Sequence, residues 1–296
     1  MARALADRLP HMTEPATIPT LDPLLPPQMA EKAEALGVAK ARMPLVTTFV
    51  LAVLAGAFIA LGADFYTAVT TDSGLGYGPA RLLGGVAFSL GLILVVIAGA
   101  ELFTGNNLIV MAWASRRITA LELGRNWAVV YAGNFAGSIA TVFIVYYSGQ
   151  WKFDGNQVGA NAVRIADHKA GLDFGEAVAL GVLANALVCL AIWLTYSARS
   201  NIDKAVAVVF PITAFVASGF EHSIANMYFV PLGLLIKRES AVTDLDAMSS
   251  TDLTDLTWAN FFTHNLLPVT AGNIIGGALM VGLVYWFIYL RPRGSA

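Results

Sequence analysis

Charge is what this sequence has least of. Asp, Glu, Lys and Arg together make up 13% of its 296 residues, whereas a domain facing water on all sides carries about 25%. That shortage excludes an ordinary soluble globule, and the 57% of hydrophobic residues suits a chain whose outside meets lipid. Neither sign dominates, with 18 Lys and Arg against 20 Asp and Glu. No basic stripe can therefore neutralise a phosphate backbone, and nucleic acid is excluded as a partner. A single cysteine, Cys189, excludes an internal disulfide, and one Cys with four His at no zinc-like spacing excludes a structural metal. The N-terminal region before Met43 lacks the apolar core of about 7 to 15 residues that a secretory signal needs, so no cleavage for export is expected. Cofactor motifs and paired catalytic carboxylates in one loop are missing too, so no cofactor is expected and an enzyme has little to recommend it.

What the sequence does have is long apolar runs. A bilayer core about 30 Å thick takes about 20 helical residues to cross. Runs without Asp, Glu, Lys or Arg extend over Met43–Ala63, Leu82–Ala100, Asn126–Trp151, Ala177–Ala198, Ala205–Phe220 and Leu256–Leu290. The second stops at Glu101 and resumes over Leu102–Ser115, and the fifth stops at Glu221-His222 and resumes over Ser223–Ile236. Each resumed piece is too short to cross alone. The sequence therefore predicts an all-α integral membrane protein with six spans, the second and fifth being broken helices. Residues 1–21 read as a disordered extension and 22–42 as a cytoplasmic amphipathic helix entered at Pro26-Pro27. Residues 43–290 form the transmembrane domain and 291–296 a tail. Placing both termini in the cytoplasm leaves only Arg81, Lys152, Arg164, Lys169, Lys237 and Arg238 outside, as the positive-inside rule favours.

The two broken spans match in register. Gly99-Ala-Glu101-Leu-Phe-Thr104-Gly105-Asn106 aligns without gaps on Gly219-Phe-Glu221-His222-Ser-Ile-Ala-Asn226. Val53-Leu-Ala-Gly56-Ala57 resembles Val182-Leu-Ala-Asn185-Ala186, and Gly133-Asn134-x-x-Gly137 resembles Gly272-Asn273-x-x-Gly276. Three matches in one order imply two homologous halves, and an odd number of crossings in each makes the repeat inverted. Interrupted backbone at membrane depth survives only where protein or a cavity surrounds it. Residues 100–107 and 220–227 are thus expected to meet near the midplane.

Within those segments, Glu101 and Glu221 recur at matched places and are read as anchors that accept hydrogen bonds from freed backbone. His222 does not recur, sits in a helix break and titrates between about pH 5 and 8, so it is the leading candidate for substrate contact. Thr104, in the opposite break, can orient the imidazole with a hydroxyl that both donates and accepts. Asn185 and Asn273 could donate to a passing anion or bond between helices. Phe88, Leu92, Leu102, Phe103, Val188 and Phe215 could form apolar constrictions or ordinary packing. Lys169 is expected in an outer loop, either drawing anions to a vestibule or simply solvated.

Taken together, Ala100-Glu-Leu-Phe-Thr-Gly-Asn106, Ala166-Asp-His-Lys169, Asn185 to Trp193, Ala217-Ser-Gly-Phe-Glu-His222 to Met227 and Asn265 to Gly277 resemble the formate/nitrite transporter family, in its formate-channel branch. The resemblance implies an aquaporin-like protomer in a homopentamer with one pore per subunit, conducting formate across a bacterial inner membrane. Nitrite, acetate, lactate and hydrosulfide are the competing anions. It implies that His222 is the central pore histidine facing Thr104, that Asn185 and Asn273 are polar pore contacts and that the six apolar residues line two constrictions. Lys169 matches a lysine of the outer side, and the helix around Gln28 to Leu36 matches a segment linked to pH-dependent gating. Gly105 stands where relatives often have Ser. Proton donation from His222 to formate would then turn export into proton-coupled import at acid pH. An aquaporin of the ordinary kind would need Asn-Pro-Ala at both breaks, and neither has it.

Overall fold

The computed structural model describes residues 22–291, and they contain helices and connections with no strand. The expectations for residues 1–21 and for the end of the tail lie outside the described residues. Helix α1 (Pro26–Ala41) starts on two prolines, with Gln28 Oε1 accepting from the Leu25 N–H at 2.9 Å. It buries Met29, Ala33, Gly37 and Ala41, one residue per turn on a single face. Then come α2 (Leu45–Thr70), α3 (Tyr77–Ala98), a 3₁₀ turn (Gly105–Ile109) running into α4 (Val110–Ala114), and α5 (Ala120–Ser148). The second half runs α6 (Gln157–Ala170), α7 (Phe174–Ser197), α8 (Asn201–Ala217), α9 (Ser223–Ile236), the short α10 (Ser240–Thr243) and α11 (Trp258–Tyr289).

Five helices, α2, α3, α5, α7 and α11, have the length and apolarity to cross a membrane. The fifth crossing expected from the sequence is divided between α8 and α9. The second differs from expectation: α3 has 22 residues and is long enough by itself, and the piece after its break is a 3₁₀ turn with one short helix. Both breaks have one cause. Gly99 and Gly219 take φ of +82° and +76°, left-handed values that glycine adopts without strain. Past each glycine the chain bonds back six to one, Ala100 N–H to Val95 O at 2.9 Å and Phe220 N–H to Phe215 O at 3.1 Å, the Schellman closure of a helix.

Each half is tied within itself by a close helix contact. A Cβ on Gly137 of α5 would lie 1.9 Å from Val53 O of α2, and one on Gly276 of α11 would lie 2.1 Å from Val182 O of α7. Only glycine permits that approach. One expectation is corrected here. Residues 157–170 are a helix, not a loop, because Val158, Ala162, Val163, Ala166 and Ala170 form a buried stripe at helical spacing. That stripe packs on α9, where a Cβ on Gly233 would meet the Ala166 Cβ at 2.2 Å. Helix α6 precedes α7 as α1 precedes α2, so each half consists of a small-residue helix followed by the elements already matched.

Candidate functional site

The matched residues form the same hydrogen-bond frame twice. In the first half Asn134 Oδ1 accepts from Phe103 N–H at 2.9 Å, and its Nδ2 donates to Ala52 O at 2.8 Å and Glu101 O at 2.9 Å. In the second half Asn273 Oδ1 accepts from Ser223 N–H at 2.9 Å, and its Nδ2 donates to Gly181 O at 2.8 Å and Glu221 O at 3.0 Å. The carboxylates repeat the theme. Glu101 takes Lys40 Nζ at 2.7 Å and Asn106 Nδ2 at 2.7 Å; Glu221 takes Lys169 Nζ at 2.7 Å and Asn226 Nδ2 at 2.6 Å. Asn106 and Asn226 each donate also to a further asparagine, Asn126 at 3.0 Å and Asn265 at 2.7 Å. Those two in turn donate to the carbonyl oxygens of Lys40 and Lys169 at 3.1 and 2.8 Å. Buried polar groups at a helix break are costly unless each is bonded, and this frame bonds most of them, leaving Asn226 Oδ1 and the Ser223 hydroxyl of the second break without a partner among the described residues.

Lys40, Asn126 and Asn265 were not singled out from the sequence. A signal was available: Lys40 precedes Gly56 by the same spacing as Lys169 precedes Asn185, so the repeat extends upstream of the spans. Each buried Glu also required a cation. Lys169 is accordingly neither solvated nor in a loop; it sits in the last turn of α6, ion-paired with Glu221.

The two breaks meet at Thr104 and His222, whose Oγ1 and Nε2 are 2.9 Å apart and buried. The other ring nitrogen settles the proton. His222 is the N-cap of α9, and its Nδ1 accepts from the Ala225 N–H at 3.1 Å. An accepting Nδ1 carries no hydrogen, so the neutral ring bears its proton on Nε2 and donates to Thr104 Oγ1. Thr104 keeps its own hydroxyl hydrogen to offer to a third group. Its carbonyl is fixed by Asn185 Nδ2 and by Cys189 Sγ, both at 3.3 Å.

Two cavities approach this pair from opposite faces. One of about 100 Å³ is lined by Arg81, Phe88, Lys169, Phe215, His222 and Phe229, among others. The other, about 390 Å³, is lined by Lys32, Lys40, Glu101, Leu102, Tyr196 and Lys204, among others. Burial, then the neighbouring Arg199 and Lys204, hold Lys32 below the ordinary lysine range. Phe88 meets Phe215 edge to face at 5.6 Å, and Phe215 lies 6.0 Å from the His222 ring, so an aromatic wall stands on one side of the imidazole. Leu92 and Val188 are 2% exposed and border neither cavity. Phe103 borders neither and packs on Tyr131 and Trp127 of α5 at 4.9 and 6.1 Å. Of the six apolar residues, the structure brings Phe88, Phe215 and Leu102 to cavity walls. For Asn185 and Asn273 it shows bonding between helices: both are 0% exposed, and Asn185 Nδ2 lies 2.7 Å from Asn273 O and 2.8 Å from Asn107 Oδ1.

The comparisons with known proteins agree with this architecture. The family model described as formate/nitrite transporter matches residues 27–287. The formate channel FocA of Escherichia coli (strain K12) is 50% identical over 275 residues, covering 92% of this chain and 96% of that protein. FocA of Haemophilus influenzae is 41% identical over 266 residues, covering 88% and 93%. A solved pentameric formate channel with formate bound superposes with a TM-score of 0.77 at 49% identity, covering 83% of this chain and 98% of that one. These relatives are channels rather than enzymes. With one frame built twice around an inverted pair of helix breaks, and a family match spanning nearly all the described residues, this chain belongs to the formate/nitrite transporter family.

Proposed function

We propose that this chain is a membrane channel for formate, assembled as a homopentamer in a bacterial inner membrane with both termini cytoplasmic and α8 with α9 completing six crossings. The observation that carries the reading is the Thr104–His222 contact, lying between two cavities that open to opposite faces. An anion reaching this point has shed water at the aromatic wall, and the bare Thr104 hydroxyl hydrogen is the donor placed to replace it. His222 orients that hydroxyl by giving Nε2–H to its oxygen. The Asn134 and Asn273 frames, with Glu101 and Glu221, keep both breaks in place.

His222 can also pass on a proton, and the geometry states the condition. A second proton must enter at Nδ1, which displaces the Ala225 N–H from its acceptor. The resulting imidazolium can release Nε2–H toward a carboxylate, converting formate to formic acid, which crosses an apolar constriction with far less dehydration cost; the ring left behind is the Nδ1–H tautomer, and it regains its resting form when Nε2 takes up a proton and Nδ1 gives its own back to water. Import at acid pH follows. The test is side-by-side flux of formate, nitrite and hydrosulfide through the purified chain in liposomes at two pH values. Fastest passage of formate, with uptake rising on acidification, supports the reading. Preference for nitrite or hydrosulfide by about tenfold would overturn the choice of anion.

A further inference from the structure

The repeat supplies each cavity with a lysine, and it also neutralises both. Lys40 is paired with Glu101 and Lys169 with Glu221, each at 2.7 Å. A lysine so paired contributes little field to an approaching anion, because the carboxylate beside it cancels the charge at any distance beyond a few ångströms. The outer cavity has a second cation that the repeat does not match. Arg81, near the start of α3, lines the same cavity as His222, and among the described residues no carboxylate lies within ion-pair distance of it.

What holds Arg81 is neutral. Its Nε and Nη2 donate to the Ala217 and Val216 carbonyls at 3.3 and 2.9 Å, and its Nη1 donates to the Tyr66 hydroxyl at 2.8 Å. The two carbonyls end α8, where the helix dipole is negative and welcomes a cation without cancelling its whole charge. A guanidinium has five N–H groups and these bonds use three, leaving one on each terminal nitrogen. That is a donor pair suited to a carboxylate. With Lys169 and Glu221 offsetting each other and His168 exposed at the rim, the net positive charge of the outer cavity resides on Arg81. The surrounding outer connections carry Asp72, Asp154, Asp173, Asp252 and Asp255 alongside Lys152, Arg164, Lys237 and Arg238, so the rim is mixed in charge, whereas Arg81 stands in the cavity itself.

We infer that Arg81, rather than Lys169, is the residue that captures small carboxylates at the outer mouth: the anion docks on the unused guanidinium N–H pair before passing the Phe88–Phe215 wall to Thr104. Lys169 is left as the positioning partner of Glu221. This rests on the formate reading above.

Formate current through the full chain in a planar bilayer separates the possibilities, with ionic strength raised on one face at a time using an impermeant salt. In the wild type, salt on the Arg81 face should depress current at low formate. Arg81→Gln should lower that current about tenfold, remove the salt sensitivity of that face and leave current at saturating formate within about twofold. Arg81→Lys, which keeps charge but not the fork, should restore most of the current and all of the salt sensitivity, which separates charge from the role of ending α8. Lys169→Gln should keep the salt sensitivity. The inference is overturned if Arg81→Gln remains as salt-sensitive as the wild type, if Arg81→Lys behaves like Arg81→Gln, or if Lys169→Gln alone abolishes the sensitivity. A wild type that passes no formate overturns the formate reading and this one with it. A conducting wild type with an unaffected Arg81→Gln overturns only this one.

Discussion

The two halves of the molecule are alike where they hold the chain and unlike where they meet each other, at Thr104 and His222. Asn134 and Asn273, Glu101 and Glu221, and Lys40 and Lys169 occupy equivalent places and make equivalent bonds. Over the three positions after each Glu the likeness stops: Leu102, Phe103 and Thr104 face His222, Ser223 and Ile224 in the alignment. A duplicated scaffold solves the problem of broken helices in lipid once and uses the solution twice. Chemistry then requires only a few departures, and here each half contributes one partner of the Thr104–His222 contact.

The sharpest way to break that comparison is to remove one frame. Asn273→Leu strips three hydrogen bonds from a site with no exposure, leaving buried groups that cost about 1–3 kcal/mol each. The chain should fail to accumulate as folded protein, and Asn134→Leu should do the same; size-exclusion profiles in mild detergent check both. The lysines sharpen the comparison, because their settings differ in degree. Lys169→Met leaves Glu221 buried without its cation and should cost about 3–5 kcal/mol in thermal stability. Lys40→Met should cost less, since the Lys40 side chain is 29% exposed against 13% for Lys169 and solvent screens its partner. Equal losses would contradict the assignment.

The unlike positions are read by flux. His222→Phe should abolish formate passage, whereas His222→Asn, which can still cap α9 through Oδ1, should retain passage and lose its dependence on pH between about 5 and 8. Unchanged pH dependence in the Asn variant would refute the proton role. Thr104→Val should lower flux about tenfold, the worth of one hydrogen bond to an ion, with Thr104→Ser near wild type. The smallest effect is expected at Gly105. A Cβ there would meet Ile192 Cγ1 at 3.5 Å, ordinary contact, so Gly105→Ser should move stability by less than about 0.5 kcal/mol in a thermal melt.

Most of the fold was readable because lipid imposes long uncharged runs, and the runs located the breaks within a few residues of Gly99 and Gly219. Helix α6 was not readable the same way: its buried stripe is largely alanine and valine among charged neighbours, and a search for uncharged runs passes over it. The site was legible in its unusual residues and less so in its common ones. His222 and Thr104 stand out by type and place. The direction of a Phe103 ring, or the use of an Asn185 amide, depends on which helix lies behind it, and spacing alone does not contain that.

The N-cap made by His222 bears on time as well as affinity. Because Nδ1 must release the Ala225 amide before it can take a proton, changing charge and loosening the first turn of α9 are one event, with no separate gate to wait for. Helix ends relax on the order of 0.1–1 µs. A pore built this way should track a jump in acidity without lag or hysteresis, and any slow phase after such a jump would have to arise elsewhere in the protein.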